Sequence, residues 1–191
     1  MNARVAALGL AILLAGAPAI AEDEEEFEID PTIFGYYVAI SGGGALEQFS
    51  GVNGFDDGFG GGASFGYRAG EYASIEVQAE FLENFDTRRG AFSNEVDLWL
   101  TTINFRLHFP MGRFEPYLTY GGGAIGVDST GAPAGRLTRT DIVFKGGGGL
   151  AWYWNDYVSF YGAATYALPI GSAKRYEHAT FVVGAMYKWE E

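Results

Sequence analysis

Residues 180–189 read Thr-Phe-Val-Val-Gly-Ala-Met-Tyr-Lys-Trp, at the end of a 191-residue chain. In an extended strand Phe181, Val183, Ala185, Tyr187 and Trp189 share one face, and Thr180, Val182, Gly184, Met186 and Lys188 share the other. The first face is apolar throughout and the second is mixed. A strand this apolar invites aggregation unless its edge is paired, and the economical partner is the first strand of the same chain, which closes the sheet into a barrel.

Seven further segments alternate in the same way: 34–42, 58–68, 72–82, 96–109, 114–127, 140–153 and 157–168. The clearest is 72–82, where Ala73, Ile75, Val77, Ala79 and Phe81 interleave with Ser74, Glu76, Gln78 and Glu80. Long polar links at 43–57, 83–94, 128–139 and 169–177 alternate with short turns at 69–71, 110–113 and 154–156. The last turn is given three residues because an odd number keeps the faces matched across the hairpin. Eight tilted strands of roughly ten residues suit a bilayer's hydrocarbon layer and leave both chain ends on one side. The expected fold is therefore all-β, an eight-stranded antiparallel up-and-down transmembrane β-barrel that occupies 33–191. On that reading Tyr67, Tyr72, Phe109, Phe114, Trp152, Trp154, Tyr187 and Trp189 collect at the short-turn end as an interfacial girdle.

Composition agrees. Arg4, an apolar core over 5–17 and Ala19-Ile20-Ala21 make 1–21 a cleavable export signal. No uninterrupted apolar run follows it, which excludes a helical membrane protein. Glycine is at about twice its usual share and aromatics are abundant. Without cysteine there are no disulfides and no thiol chemistry. The net charge of −12 disfavours nucleic acid as a partner, and seven acidic residues between Glu22 and Asp30 make 22–32 a solvated periplasmic lead-in. That lead-in lacks the spaced ligands and turn glycine of a calcium loop.

Phe65-Gly66-Tyr67-Arg68 before Ala73-Ser74-Ile75-Glu76 resembles the small outer-membrane β-barrel domains that include the membrane domain of outer-membrane protein A and the opacity-type proteins. So do Phe114-Glu115-Pro116-Tyr117 before Gly121-Gly122-Gly123, and Lys145 to Gly149 before the hairpin at Asn155. The spacing of Gly184, Tyr187 and Trp189 is similar to the terminal signal read by the barrel assembly machinery, with Val182 at a usually polar position and Glu190 and Glu191 trailing. The resemblance covers the whole mature chain. It implies a Gram-negative-type outer membrane, a periplasmic amino terminus, loops at the cell surface, and contact with outer-membrane lipid and lipopolysaccharide.

An eight-stranded barrel is filled by side chains, so a wide pore is not expected. The inward faces supply Glu76, Glu80, Arg106, His108, Glu115 and Lys145, with Glu115 opposite His108 and Glu76 within reach of Arg106. These read as a network of compensating charges, since an enclosed charge is costly unless paired. The glycine clusters Gly60 to Gly62, Gly121 to Gly123 and Gly146 to Gly149 lie inside strands, where they relieve crowding by neighbouring aromatics or a bent backbone instead of cradling phosphate. Surface contacts are expected from Glu47, Phe49, Phe55 and Phe59 in the first link, and from Phe85, Arg88, Arg89 and Phe92 in the second.

The expected role is structural or surface-binding in a monomer without catalytic residues, cofactor or metal, and any surface ligand is unspecified. Two alternatives stand beside it. A lipid A-directed acyl hydrolase needs serine, histidine and an acid, but His178-Ala179-Thr180 offers threonine, and no serine is expected to neighbour His108 and Glu115. A soluble lipocalin-like carrier would turn the apolar faces inward.

Overall fold

The computed structural model describes residues 35–47, 58–89, 92–131, 135–174 and 176–190, with side chains except at 47, 84–89, 92–95, 129–131, 135–138 and 190. The expected signal and lead-in, 1–32, lie outside these residues. Eight strands run in chain order: β1 (Gly35–Glu47), β2 (Gly58–Gly70), β3 (Ala73–Arg89), β4 (Phe92–His108), β5 (Phe114–Gly131), β6 (Gly135–Tyr153), β7 (Val158–Pro169) and β8 (His178–Glu190). Each pairs antiparallel with its neighbours, and β8 returns to β1 through Tyr36↔Trp189 and Val38↔Tyr187, so the barrel is closed.

Sidedness separates the membrane barrel from the soluble carrier. Phe105 is 50% and Val183 72% exposed on the outer surface, whereas Glu76 is 2% and Arg106 5% exposed within. Large apolar side chains cover the outside and ionisable ones are enclosed, the reverse of a carrier for an apolar ligand. At the short-turn end the rings of Tyr36, Phe65, Tyr67, Tyr187 and Trp189 form contacting pairs, as do Trp152 with Trp154 and with Phe160.

The structure corrects the links. Strand pairing continues through most of 83–94 and 128–139, as Arg89↔Phe92 and Gly131↔Gly135 show. Alternating hydrophobicity marks only the part of a strand that touches lipid, while the backbone ladder extends into water without it. A bulge in β3 between Leu82 and Phe85 falls where the alternation stops.

The turns shift register by an even number of residues, which preserves every face. Met111 pairs with Phe114 around Gly112, whose φ of 62° suits glycine, so His108 lies opposite Tyr117 and not Glu115. The turn before β7 spans 154–157 instead of three residues and sets Tyr153 opposite Ser159. There the Asn155 carboxamide oxygen accepts the Tyr157 and Val158 amides at 2.9 and 2.7 Å.

Several glycines make room for rings on the inner wall. A Cβ at Gly66 would enter the ring of Tyr37, its directly paired neighbour. At Gly149 and Gly184 it would lie 2.6 Å from Cζ of Tyr117 and Tyr161, again the cross-strand partners. Outside, Trp99 covers Gly126 in the same way.

Candidate functional site

The lumen is stratified. Next to the short turns, His108 Nε2 meets Ser74 Oγ at 2.8 Å and His108 Nδ1 meets Glu115 Oε1 at 2.8 Å. Tyr153 donates to Glu115 Oε1 at 2.9 Å and accepts from Lys188 Nζ at 2.6 Å, and Lys188 also lies 4.2 Å from the centre of the Tyr153 ring. The Arg68 guanidinium pairs with Glu115 Oε2 at 2.9 Å and caps the adjoining turn by donating to the carbonyls of Gly70 and Glu71.

One layer further in, Arg106 Nη2 donates to both oxygens of Glu76 at 3.0 and 2.9 Å, beneath the hydroxyl of Tyr37 at 3.0 Å. The guanidinium carbon of Arg106 lies 4.4 Å from the centre of the Tyr117 ring. Above this pair Lys145 donates to Glu80 at 2.5 Å and to Gln78 at 2.9 Å, and Asn104 joins Gln78 to Thr102. Between the two layers the lumen retains a cavity of about 20 Å³, lined by Glu76, Gln78, Glu80, Arg106, Tyr117 and Lys145 among others. That is room for roughly one water molecule.

The loop-end half of the lumen is apolar. Ala45, Leu82, Val96, Leu98, Leu100, Ile125, Val127, Val143 and Ala167 are buried together, with Ala173 and Tyr176 inserted from the β7–β8 connection. Buried leucine, isoleucine and valine line this half where polar side chains would hold water.

Glu76, Glu80, Arg106, His108, Glu115 and Lys145 thus face the lumen, in three contacting groups. Two of the contacts run along diagonals: Ser74 is directly opposite Arg106, and Tyr117 opposite His108, so Glu76 and Glu115 each reach a partner two residues along, whereas Lys145 on β6 reaches Glu80 on β3 across the lumen. Tyr72, Phe109, Phe114, Trp154 and Tyr187 are exposed at the short-turn end, and Tyr67, Trp152 and Trp189 half-buried there. Phe49 and Phe55 lie outside the described residues. Phe85, Arg88, Arg89 and Phe92 lie in the β3–β4 hairpin, on strands whose side chains there are not described. Phe59 is exposed on the outer wall of β2.

Sequence reading missed Arg68, Tyr37, Tyr153, Lys188 and Ser74 as members of the network. The available signal was the same alternation, which already put Arg68 and Lys188 on the inward faces.

Ser74, His108 and Glu115 have the connectivity of a hydrolytic triad, which corrects the expectation that no serine approaches the pair. Ser74 is only 3% exposed, its Oγ also meets the Tyr37 hydroxyl at 3.3 Å, and it does not line the small cavity. A reactive serine requires space for an acyl group beside it, and Ser74, His108 and Glu115 are all buried. His178 and Thr180 are likewise buried inside. Among the described residues no three His, Cys, Asp or Glu are grouped to hold a metal ion.

A closed eight-stranded barrel with a lipid-compatible exterior and an ion-paired interior defines a small integral outer-membrane barrel. The model of the outer membrane protein beta-barrel domain matches residues 6–188, and the chain belongs to that family. Its fold is similar to that of Neisserial surface protein A, at 16% identity with a TM-score of 0.69, over 81% of this chain and 97% of that one. It is also similar to the N-terminal β-barrel domain of OprF from Pseudomonas aeruginosa, at 14% identity and TM-score 0.53 over 82% and 99% of the two chains. A third neighbour is Ail, the attachment invasion locus protein of Yersinia pestis, at 11% identity and TM-score 0.54 over 82% and 97%. At these identities the likeness is one of fold. No curated protein matches the sequence.

Proposed function

We propose that this protein is a non-enzymatic, non-conducting barrel of a Gram-negative-type outer membrane, whose role is carried by its outer surface, as a structural component or by binding. The observation that carries the reading is the filled lumen: a charged, tyrosine-rich half meets an apolar half, and the cavity between the charged layers is about 20 Å³. An ion path would need continuous water, and among the described residues both halves are lined by buried side chains. The full chain reconstituted in a planar bilayer is expected to give no discrete current steps, and stable single-channel steps would refute the filled-lumen reading.

What reaches beyond the bilayer is the sheet formed by the loop-end parts of β3 to β6, strands of 17 to 19 residues where β1, β2, β7 and β8 have 12 or 13. Orienting short turns to the periplasm places that sheet at the cell surface. Ail, named for attachment, is an analogue in fold only; its structure with the heparin analogue sucrose octasulfate does not extend to this chain, whose charge of −12 opposes a polyanion. Replacing 86–95 by a two-residue turn should leave the heat-dependent gel shift of the folded barrel intact and lower adherence of cells displaying the protein. Unchanged adherence would leave the structural role.

A further inference from the structure

The connection from β7 to β8 does not stand off into solvent; it folds over the loop-end mouth. Ile170 donates its amide to the Ile142 carbonyl at 2.8 Å, and Gly171 to Ala173 form one 3-10 turn. The carboxylate of Asp141 on β6 then takes two hydrogen bonds through one oxygen, from Ser172 Oγ at 2.5 Å and from the Ala173 amide at 2.8 Å. Gly171 has φ 85°, and a Cβ there would lie 2.7 Å from the other oxygen of Asp141, so both conformation and space require glycine beside the carboxylate. Past this anchor Tyr176 donates its amide to the Ala173 carbonyl at 2.9 Å. Ala173 and Tyr176 complete the apolar cluster whose walls include Leu82, Val96, Leu98 and Ile125.

The two sets of contacts differ in kind. Inside, the connection offers one methyl group, one ring and the Tyr176 carbonyl, which accepts from His178 Nδ1 at 3.0 Å. At the rim, its described attachments are the Ile170 amide and the single carboxylate of Asp141, which lies on the same face of β6 as Val143 and Lys145, together with Glu177, which accepts from the Tyr166 hydroxyl on β7 at 3.1 Å. A segment with few buried contacts opens at a low free energy unless a local bond holds it, and hydrogen bonds to a charged group are among the stronger ones.

We propose that the β7–β8 connection is a latched lid: Asp141 holds Ser172 and Ala173 against β6, which keeps Tyr176 seated in the apolar half of the lumen and closes that half to the outside water. The lid governs access to the loop-end apolar half alone. The ion-paired layers beneath it, beginning with Lys145 and Glu80, are fixed by barrel strands and do not depend on the latch.

The absence of cysteine makes a single introduced thiol a unique reporter. Leu98→Cys places one on the wall of the apolar half, and Thr102→Cys places one in the polar layer below; both positions are buried. With the full chain folded in lipid vesicles, the reaction of Leu98→Cys with a water-soluble maleimide is expected to be slow. Adding Asp141→Ala should speed it at least about tenfold, the scale of losing two charge-assisted hydrogen bonds from an opening equilibrium. Thr102→Cys should stay slow in both backgrounds. Equal rates for Leu98→Cys with and without Asp141 overturn the proposal, and so does acceleration of both thiols together, which would mean a loosened barrel. If Asp141→Ala loses the heat-dependent gel shift, Ser172→Ala, which removes one of the two bonds, decides instead: faster labelling at Leu98→Cys supports the latch and an unchanged rate rejects it.

Discussion

Arg106 shows what an enclosed charge requires. Both oxygens of Glu76 accept from its Nη2, Tyr37 donates to the same carboxylate, and the ring of Tyr117 faces the guanidinium. Each partner offsets part of the cost of removing the ions from water. Truncating Arg106 to alanine leaves Glu76 buried without its counter-charge and is expected to destabilise the barrel by about 3–5 kcal/mol in urea titrations of the folded protein in vesicles. Replacing Glu76 and Arg106 together by leucine and methionine should recover most of that loss. A double replacement as damaging as the single one would mean that the pair is not the local source of stability. Tyr37 on Gly66 applies the same logic to volume, because a ring lying flat on the wall needs a residue beneath it without a Cβ. The glycine clusters at 60–62, 121–123 and 146–149 mostly meet the backbone of the neighbouring strand, with Gly149 beneath the Tyr117 ring, whereas Gly66 and Gly184 stand outside them; which glycine would seat a ring depended on register, and that was not legible.

At the scale of strands and turns, hydrophobic alternation identified all eight elements and their faces, because lipid on one side and an enclosed lumen on the other impose a period of two. It failed where its cause ended. Beyond the bilayer neither face of β3 to β6 meets lipid, so 83–94 and 128–139 read as loops although they pair. Turn lengths were fixed only in parity, and an even error slides a strand by two residues without turning a side chain over. Glu76–Arg106 and Glu115–His108 consequently form along diagonals, while Arg68–Glu115 and Lys145–Glu80 cross the lumen between strands that are not neighbours. Ser74 was missed for that reason: it belongs beside His108 only through the diagonal across β3 and β4. The same lipid argument makes a depth-dependent prediction. Val183→Arg, far from both ends of β8, should cost about 2–4 kcal/mol, and Thr140→Arg on β6, at the level of Trp99, about 0–1 kcal/mol. Equal costs, measured by the same urea titrations, would remove the bilayer from the explanation.

For the molecule as a whole, closure by β1 and β8 resolves the hazard posed by the apolar terminal strand: its edge is paired, and its apolar face joins a continuous outer belt. Among the described residues the interior then divides into an ion-paired half and an apolar half, both lined by buried side chains. The most direct test uses the cysteine-free chain with single spin labels at Phe105, Phe160 and Val183, folded in lipid vesicles, and compares collision with oxygen against collision with a water-soluble nickel chelate. Labels at all three positions are predicted to be accessible to oxygen and shielded from nickel, because acyl chains surround them. Strong nickel collisions at these three positions would contradict the account and put the apolar belt in water.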